Sequence, residues 1–565
     1  MSVPTRPIAP VPLRSRLLSF CCCRSRVQKH NQSAGDALMG LMVVVLAWLR
    51  AVAMPARRRV AVYVKQLRRS LQKQPVIVQQ DKCPAAAVGM SRAVYDGLLY
   101  QNFFCDSAHY ELVETGLEHV CHDQYLSHKA LIPSWAHRRR TSWHPEALPY
   151  AYLNVKRKCF SPAGLVCTKL HAHVREIVAS CNFPLNRLFK LCSRAVQCIL
   201  KNSTLPSWEV WDMKTSSTDL AQRARSLDRP REFRSVCKRC GCRKAPMSCF
   251  QGDVNQLFKD VEAHHVLRHL RQHVDACQKA HPDCEGVTVL NGKKYRAFIG
   301  GQERTARGRY FRFWEVWCVL KYYLRCNVFR VGVHLVRQRL GVPMGGSGSK
   351  ACTSILLGGL EAAWVRDGAQ RAEHGFEDSP QAFQATTNGA RYVDDLLVLS
   401  TVYCPRCCEA MCMLIYDKPL VIEAQPPVHV FQAQLPQEVW QTCVHHWLDL
   451  TVTVGETVRV SYRSKNEQCL HSGGQINHHV LPRFCQQDGA TRERLKWWMS
   501  SRAHRIGQIV PDPDSFVLVL REAMLFGYSR QHVLRVASTL RKFEFVREAL
   551  RIVTSTDCLK LHSRD

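Results

Sequence analysis

Three acids in this 565-residue chain stand where carboxylates can be made to do chemistry. Asp394 and Asp395 sit side by side in Ala390-Arg391-Tyr392-Val393-Asp394-Asp395-Leu396-Leu397-Val398-Leu399, framed by apolar, β-branched and aromatic residues. The pattern reads as strand, tight turn, strand, with the acids at the turn. Adjacent like charges in an apolar frame are costly unless neutralised, and hard divalent cations take oxygen ligands of this kind. The bland alternative is an exposed Asp-Asp turn. Asp253 ends an apolar stretch, residues 247–253, that reads as a strand followed by a turn into a helix. Open sheets place chemistry at such strand ends.

Other features align with these acids. Phe258 stands five residues after Asp253. The run Gln338-Arg339-Leu340-Gly341-Val342-Pro343-Met344-Gly345-Gly346-Ser347-Gly348-Ser349 has the glycine density that lets a backbone approach a base pair or sugar, and residues 351–364 read as a helix behind it. An acid at a strand end, a glycine-rich loop before a helix and a paired-acid hairpin, in that order, form the layout of a palm-type nucleotidyl polymerase. That chemistry needs two Mg²⁺ ions about 4 Å apart, held by carboxylates from neighbouring strands. Asp253 and Asp394 would bridge them, Asp395 would support, and the Val254 carbonyl is a further oxygen; Mn²⁺ could replace Mg²⁺. Phe258, packed under an incoming nucleotide, would clash with a 2′-hydroxyl and favour deoxynucleotides; it could equally be plain core.

The elements around them are coarser. Residues 148–183 alternate apolar and basic positions, giving two short strands with Lys158 and Arg175 as candidate triphosphate or template cations. Residues 185–200 read as a helix, 404–423 as a helix and strand, and 490–555 as basic helices. Trp447-Leu448-Asp449-Leu450 opens a β-hairpin whose turn is Gly455-Glu456. Aromatic residues near 314–323 suit a helix core better than a stacking platform. Residues 201–246 read as an inserted polar segment ending in Cys237, Cys240 and Cys242. A C-x2-C pair is half a zinc site, and the other half is not evident; incidental thiols are the default reading.

Composition adds a partner class. Lys plus Arg number 79 against 46 Asp plus Glu, a net +33 that points to a polyanion, nucleic acid before anionic membrane. The 28 irregularly spaced cysteines favour reduced thiols over a disulfide framework. Residues 1–35 are basic without an acid, as in an organelle transit peptide or a nucleic-acid-binding arm. The apolar run 37–49 falls short of the roughly 20 residues that span a bilayer, so no stable membrane insertion is expected. Residues 135–143 interleave Arg138-Arg139-Arg140 with tryptophans, fitting either a phosphate contact or a solvated face.

Tyr392-Val393-Asp394-Asp395 resembles the catalytic box of reverse transcriptases, and Gln338 to Gly345 is similar to the Q-x-x-G-x-x-M-G box of Penelope-like retroelement enzymes. Asn327-Val328-Phe329 before that box, Glu361 closing it, Arg391 ahead of the tyrosine and the Trp447 hairpin resemble the same family. So do Tyr462-Arg463-Ser464-Lys465 and Phe526-Gly527-Tyr528. Arg175-Glu176-Ile177-Val178 is similar to its fingers box, with Glu176 in place of a proline and Asn154-Val155 in place of Pro-Lys.

The resemblance implies an α+β right-hand fold of fingers, palm and thumb, with an antiparallel palm sheet and a basic N-terminal extension. It implies an RNA-directed DNA polymerase acting on an RNA template, a DNA primer and dNTPs, without the family's C-terminal GIY-YIG nuclease. Gln338, Gly341 and Tyr392 would position template and nucleotide; Trp447, Leu448 and Asp449 would grip the primer. The expected layout is a basic segment over 1–60, a helical region over 61–147, fingers and palm over 148–425, the hairpin region over 426–485 and a helical thumb over 486–565. A nuclear location is expected, with organelle targeting the alternative. A telomerase-like catalytic subunit, a domesticated non-catalytic nucleic-acid-binding protein and an RNA-synthesising polymerase are the rival readings.

Overall fold

Strand Ser248–Asn255 alternates its side chains between two buried clusters, and that alternation organises what surrounds the acids. The computed structural model describes residues 75–80, 83–114, 148–156, 174–181, 183, 185–213, 215–290, 296–301, 308–325, 327–417, 419–434, 439–464, 466–467, 488–509 and 511–555. Lys158, Lys465, the basic N-terminal segment, the apolar run 37–49 and the Trp135–Trp143 stretch lie outside the described residues. The chain divides into two compact units, Met1–Asn102 with Leu153–Arg175, and Phe103–Tyr152 with Glu176–Asp565.

In the first unit, strands β1 (Pro75–Gln80) and β2 (Cys83–Ser91) form an antiparallel hairpin, followed by helix α1 (Arg92–Leu99). The helical region expected over 61–147 is corrected here: its first described elements are strands. The run Val76-Ile77-Val78 is β-branched throughout, and that outweighs the helical pattern around it.

The second unit holds strand β3 (Tyr110–Leu112) and most of the described elements. Strands β4 (Tyr150–Val155) and β5 (Val174–Ala179), whose residues are divided between the two units, stand where the basic-apolar alternation placed them. Helices α2 (Asn186–Asn202) and α3 (Ser216–Arg225) lead to β6 (Ser248–Asn255), and α4 (Ala263–Ala280) comes after a turn. That helix starts ten residues beyond Asp253, later than the sequence suggests, because residues 256–260 are spent in turns and Gln256 takes a left-handed φ of 51°. Strands β7 (Gly286–Leu290), β8 (Ala297–Ile299) and β9 (Gly308–Arg312) form a small sheet before helix α5 (Phe313–Arg325). In α5 Tyr322 and Tyr323 are core, while Trp314 is exposed.

Strands β10 (Val328–Val331) and β11 (His334–Gln338) pair as a hairpin ahead of the glycine loop, which leads into α6 (Ser349–Arg366). After α7 (Gly368–Glu373) and α8 (Pro380–Thr386) come β12 (Thr387–Tyr392) and β13 (Asp395–Ser400), then α9 (Pro405–Ile415) and β14 (Val421–Ala424). These make a four-stranded antiparallel sheet ordered β12-β13-β6-β14.

Two faces of that sheet are buried differently. Phe250, Val254, Leu396 and Val398 pack on helices α2, α4, α5, α6 and α9. Cys249, Leu397 and Leu399 face the other way, onto Val210, Leu220, Ala224 and Leu227 and the Trp447 hairpin. Each of these large aliphatic side chains contributes about 1.5–3 kcal/mol on burial. Residues 201–246 are therefore no polar insertion: Trp208, Val210 and Leu220 are core, and the polar residues between them hid it.

A separate sheet, β15 (His429–Gln434), β16 (Val439–Trp447), β17 (Leu450–Val454) and β18 (Val458–Tyr462), precedes the last helices. These are α10 (Asp488–Gly507), α11 (Pro513–Leu525), α12 (Arg530–Ser538) and α13 (Glu544–Ser555), packed around Trp498, Phe516, Phe526 and Val546. No helix among the described residues is long and apolar enough to cross a membrane.

Buried histidines make the second unit sensitive to acid. His273, on the core face of α4, is 1% exposed, and its Nδ1 lies 3.1 Å from the Ser203 hydroxyl. Burial pushes the imidazole down to about 4, and the buried His445 is likewise pushed to about 4. The unfolded chain takes up protons at an ordinary histidine pKa of about 6.5, so stability is full above that pH and falls as pH drops toward 4. For His273 the loss is at most about 3–4 kcal/mol. Urea midpoints of wild type should fall over this window, and those of His273→Gln should fall less steeply. Parallel curves would refute the assignment.

Candidate active site

Strand register brings together two of the three sequence-predicted acids. Asp395 is the direct cross-strand partner of Asp253, so both carboxylates leave the same face of the sheet. On the other side of β6, Asp253 is paired with Glu423, which sequence reasoning did not select. The row Asp395, Asp253, Glu423 thus crosses three neighbouring strands. Like charges directly opposite one another weaken a sheet, and this row places three acids in that relation. Asp394 is in the β12–β13 turn, and its carbonyl accepts the Val254 amide at 3.0 Å. Among the described residues, the groups whose ligand atoms all fall within 4.8 Å are a cysteine set and Glu262, His264 and His265. The acids accordingly offer a shared face and not a closed cage. Hard carboxylate oxygens on one face fit divalent Mg²⁺, which keeps several waters and binds through one or two carboxylates plus substrate phosphates.

The hairpin turn that carries Asp394 is strained. Val393 has φ 62°, a left-handed conformation that β-branched residues rarely adopt and that costs on the order of 1–3 kcal/mol. Arg391 holds it. The side chain is fully buried, and its Nη1 donates to the Val393 carbonyl at 3.1 Å. The same guanidinium pairs with Glu209 at 2.7 Å and with Glu361. Burial alone would disfavour the cation, but Glu361 and Glu209 outweigh it and hold Arg391 well above the ordinary arginine range. Glu361 also accepts from the Tyr416 hydroxyl at 2.7 Å and the Trp208 amide at 2.9 Å; Glu209 accepts from the Ser354 hydroxyl at 3.1 Å. Glu209 went unnoticed in the sequence because its partner is 182 residues away, at Arg391. Tyr392 is half-buried, with the Lys350 ammonium 4.7 Å from its ring centroid.

The glycine loop is clamped to the turn that follows Asp253. Gly341 has φ +86°, and a Cβ there would stand 2.3 Å from the Lys259 carbonyl oxygen and 2.5 Å from that of Phe258. Its amide donates to the Val261 carbonyl at 3.0 Å, and the Val342 amide to the Phe258 carbonyl at 2.7 Å. Only glycine fits this conformation and this approach. Phe258 therefore sits beneath the loop, partly buried against the main core. Gln338 is buried at the end of β11, and its Oε1 has no hydrogen-bond partner.

Glu176, the departure from the fingers-box proline, has a local explanation. Its carboxylate pairs with Lys259 at 2.7 Å, and Lys259 also reaches Asp106 at 3.2 Å. Burial works against the ammonium, but the two acids prevail and hold Lys259 above its ordinary range. Arg175, next to it, is half-buried on β5 and falls in the first unit.

The β16–β17 turn approaches the acids from the second face. Trp447 is fully buried, and its Nε1 donates to the Asp395 carbonyl at 3.4 Å. Leu448 has φ 56°. Asp449 is buried and pairs with Arg505 and, at 3.9 Å, with Arg502, both on α10. Its carboxylate anchors the turn to the last helices. In the Phe526-Gly527-Tyr528 motif both aromatic rings are core.

No model of a known protein family matches the chain, and no curated protein is significantly similar to it. Solved structures similar to it include a telomerase from Candida albicans in complex with a TWJ fragment of telomeric RNA. That match has 10% identity and a TM-score of 0.47, covering 88% of this chain and 73% of that one. An apo telomerase from Candida tropicalis matches at 8% identity and a TM-score of 0.44, covering 89% of this chain and 76% of that one. Likeness at this level identifies no function.

Proposed function

We propose that this chain is an RNA-directed DNA polymerase that extends a primer 3′-hydroxyl with dNTPs, on a right-hand fold of the Penelope-like kind. The observation that carries the reading is the register placing Asp395 opposite Asp253, with Asp394 in the strained turn between β12 and β13. Asp253, Asp394 and the Val254 carbonyl would hold Mg²⁺, with Asp395 supporting. Bound Mg²⁺ supplies Lewis-acid stabilisation of the attacking and leaving oxygens. A bond forms from the primer 3′-oxygen to the α-phosphorus, the α–β anhydride breaks, pyrophosphate leaves and the hydroxyl proton passes to solvent. Phe258 and Gly341 form the floor on which a deoxyribose would rest, and Tyr392 with Lys350 would border the nucleotide. The net charge of +33 suits a nucleic-acid duplex and, with the basic N-terminal segment, a nuclear setting.

The test is extension of a DNA primer by the full chain on matched RNA and DNA templates, with Mg²⁺ and either dNTPs or NTPs. Extension with dNTPs on RNA is the expected result. Preferential use of NTPs would identify an RNA-synthesising enzyme instead, and no extension by folded protein would leave only nucleic-acid binding.

A further inference from the structure

The half zinc site of the sequence finds its other half 164 residues further along, at Cys404. The thiols of Cys237, Cys240, Cys242 and Cys404 lie within 4.8 Å of one another; Cys407, outside that set of four, is 3.7 Å from Cys237, and its C-x2-C spacing from Cys404 repeats that of Cys237 and Cys240. Cys240 and Cys404 are also 3.7 Å apart. Four sulfurs bound to one zinc at about 2.3 Å form a tetrahedron with edges of about 3.8 Å. A disulfide needs sulfurs about 2.05 Å apart, far closer than any of these pairs. We propose that Cys237, Cys240, Cys404 and Cys407 bind one structural Zn²⁺ as two C-x2-C pairs, with Cys242 a spare thiol beside them.

The backbone is shaped for it. The Cys237–Cys242 segment closes as a knuckle: the Gly241 amide donates to the Cys237 carbonyl at 2.9 Å, and the Cys237 amide to the Cys242 carbonyl at 2.8 Å. Gly241 turns the chain with φ +69°, where a side chain would be strained. The second pair sits at the start of α9, with Cys404 at the N-cap and Pro405 in the first turn. The helix dipole there favours thiolate charge, and the Cys404 amide already donates to the Cys237 sulfur at 3.3 Å. A tetrathiolate zinc carries a net double negative charge. Lys238, Arg239, Arg243, Lys244 and Arg406 lie in the same two segments, and Arg239 Nη1 approaches the Cys407 sulfur at 3.7 Å. Binding displaces four thiol protons to solvent, with no change in oxidation state.

The location gives the metal a purpose. The Lys238 amide donates to the Val402 carbonyl at 2.9 Å, so the knuckle grips the chain just after β13. Asp395 begins β13 and Asp253 comes near the end of β6; the cysteines lie at the opposite end, beyond the Ser400–Ser248 pair. Zinc would brace the two acid-bearing strands from behind.

The experiment is elemental analysis of the full-length chain purified under reducing conditions without chelator. One zinc per chain is expected, retained in Cys242→Ser and lost in Cys404→Ser/Cys407→Ser. Because the double variant loses a structural element, wild-type protein is also stripped and reloaded with Co²⁺. Visible d–d bands with thiolate-to-cobalt charge transfer of four-sulfur intensity are expected. Absence of metal from the wild type, iron in place of zinc, undiminished zinc in the double variant, or loss of zinc from Cys242→Ser would each overturn the assignment.

Discussion

Changing Asp253 to asparagine is expected to lower Mg²⁺-dependent primer extension about a thousandfold, equivalent to about 4 kcal/mol of transition-state stabilisation. The fold should not suffer. Asp253 stands between Asp395 and Glu423 on neighbouring strands, and removing its charge relieves repulsion on both sides. The signature is therefore paired: activity collapses while the protein remains cooperatively folded. Single-turnover extension and equilibrium unfolding on the same preparation read both. Glu423→Gln, on the exposed edge strand, should relieve the same repulsion with a far smaller loss of rate. Equal extension by wild type and Asp253→Asn would sink the polymerase reading.

The second large effect is on stability. Arg391→Met leaves Glu209 and Glu361 buried without their shared cation, and breaking a buried pair in this way costs about 3–5 kcal/mol. A domain holds only about 5–15 kcal/mol in reserve, so the variant should be poorly soluble or unfold at markedly lower urea. It also frees the Val393 carbonyl, so the strained turn under Asp394 loses its tether. Adding Glu209→Gln and Glu361→Gln to Arg391→Met should recover part of the midpoint, because neutral partners carry a smaller desolvation penalty. A midpoint unchanged in Arg391→Met would mean that the three charges do not act as one buried unit.

Much of this site was legible because its signals are local. Asp394 and Asp395 announce themselves by their apolar flanks, Gly341 by the glycines around it, and the last helices by their periodicity. What stayed hidden depends on register or on distance along the chain. Glu423 ends an ordinary-looking Val-Ile-Glu, and only the β6–β14 pairing puts it beside Asp253. Glu209 lies in a stretch whose polar residues masked a core segment, and Cys404 is too far from Cys237 for spacing to join them. The hairpin at 75–91 was obscured by neighbouring helical periodicity. Such partners are chosen by the folded chain, and single-sequence patterns hold no record of them.

The β16–β17 turn touches two things at once. Trp447 donates to the carbonyl of Asp395, and two residues on Asp449 is tied to Arg505 of α10. Between them Leu448 sits in a left-handed backbone conformation, φ 56°. A displacement of α10 is thus handed to the acid row through a linkage only three residues long. Under the proposed polymerase function, a duplex leaning on those last helices would be weighed at Asp395, as on a balance with a very short beam.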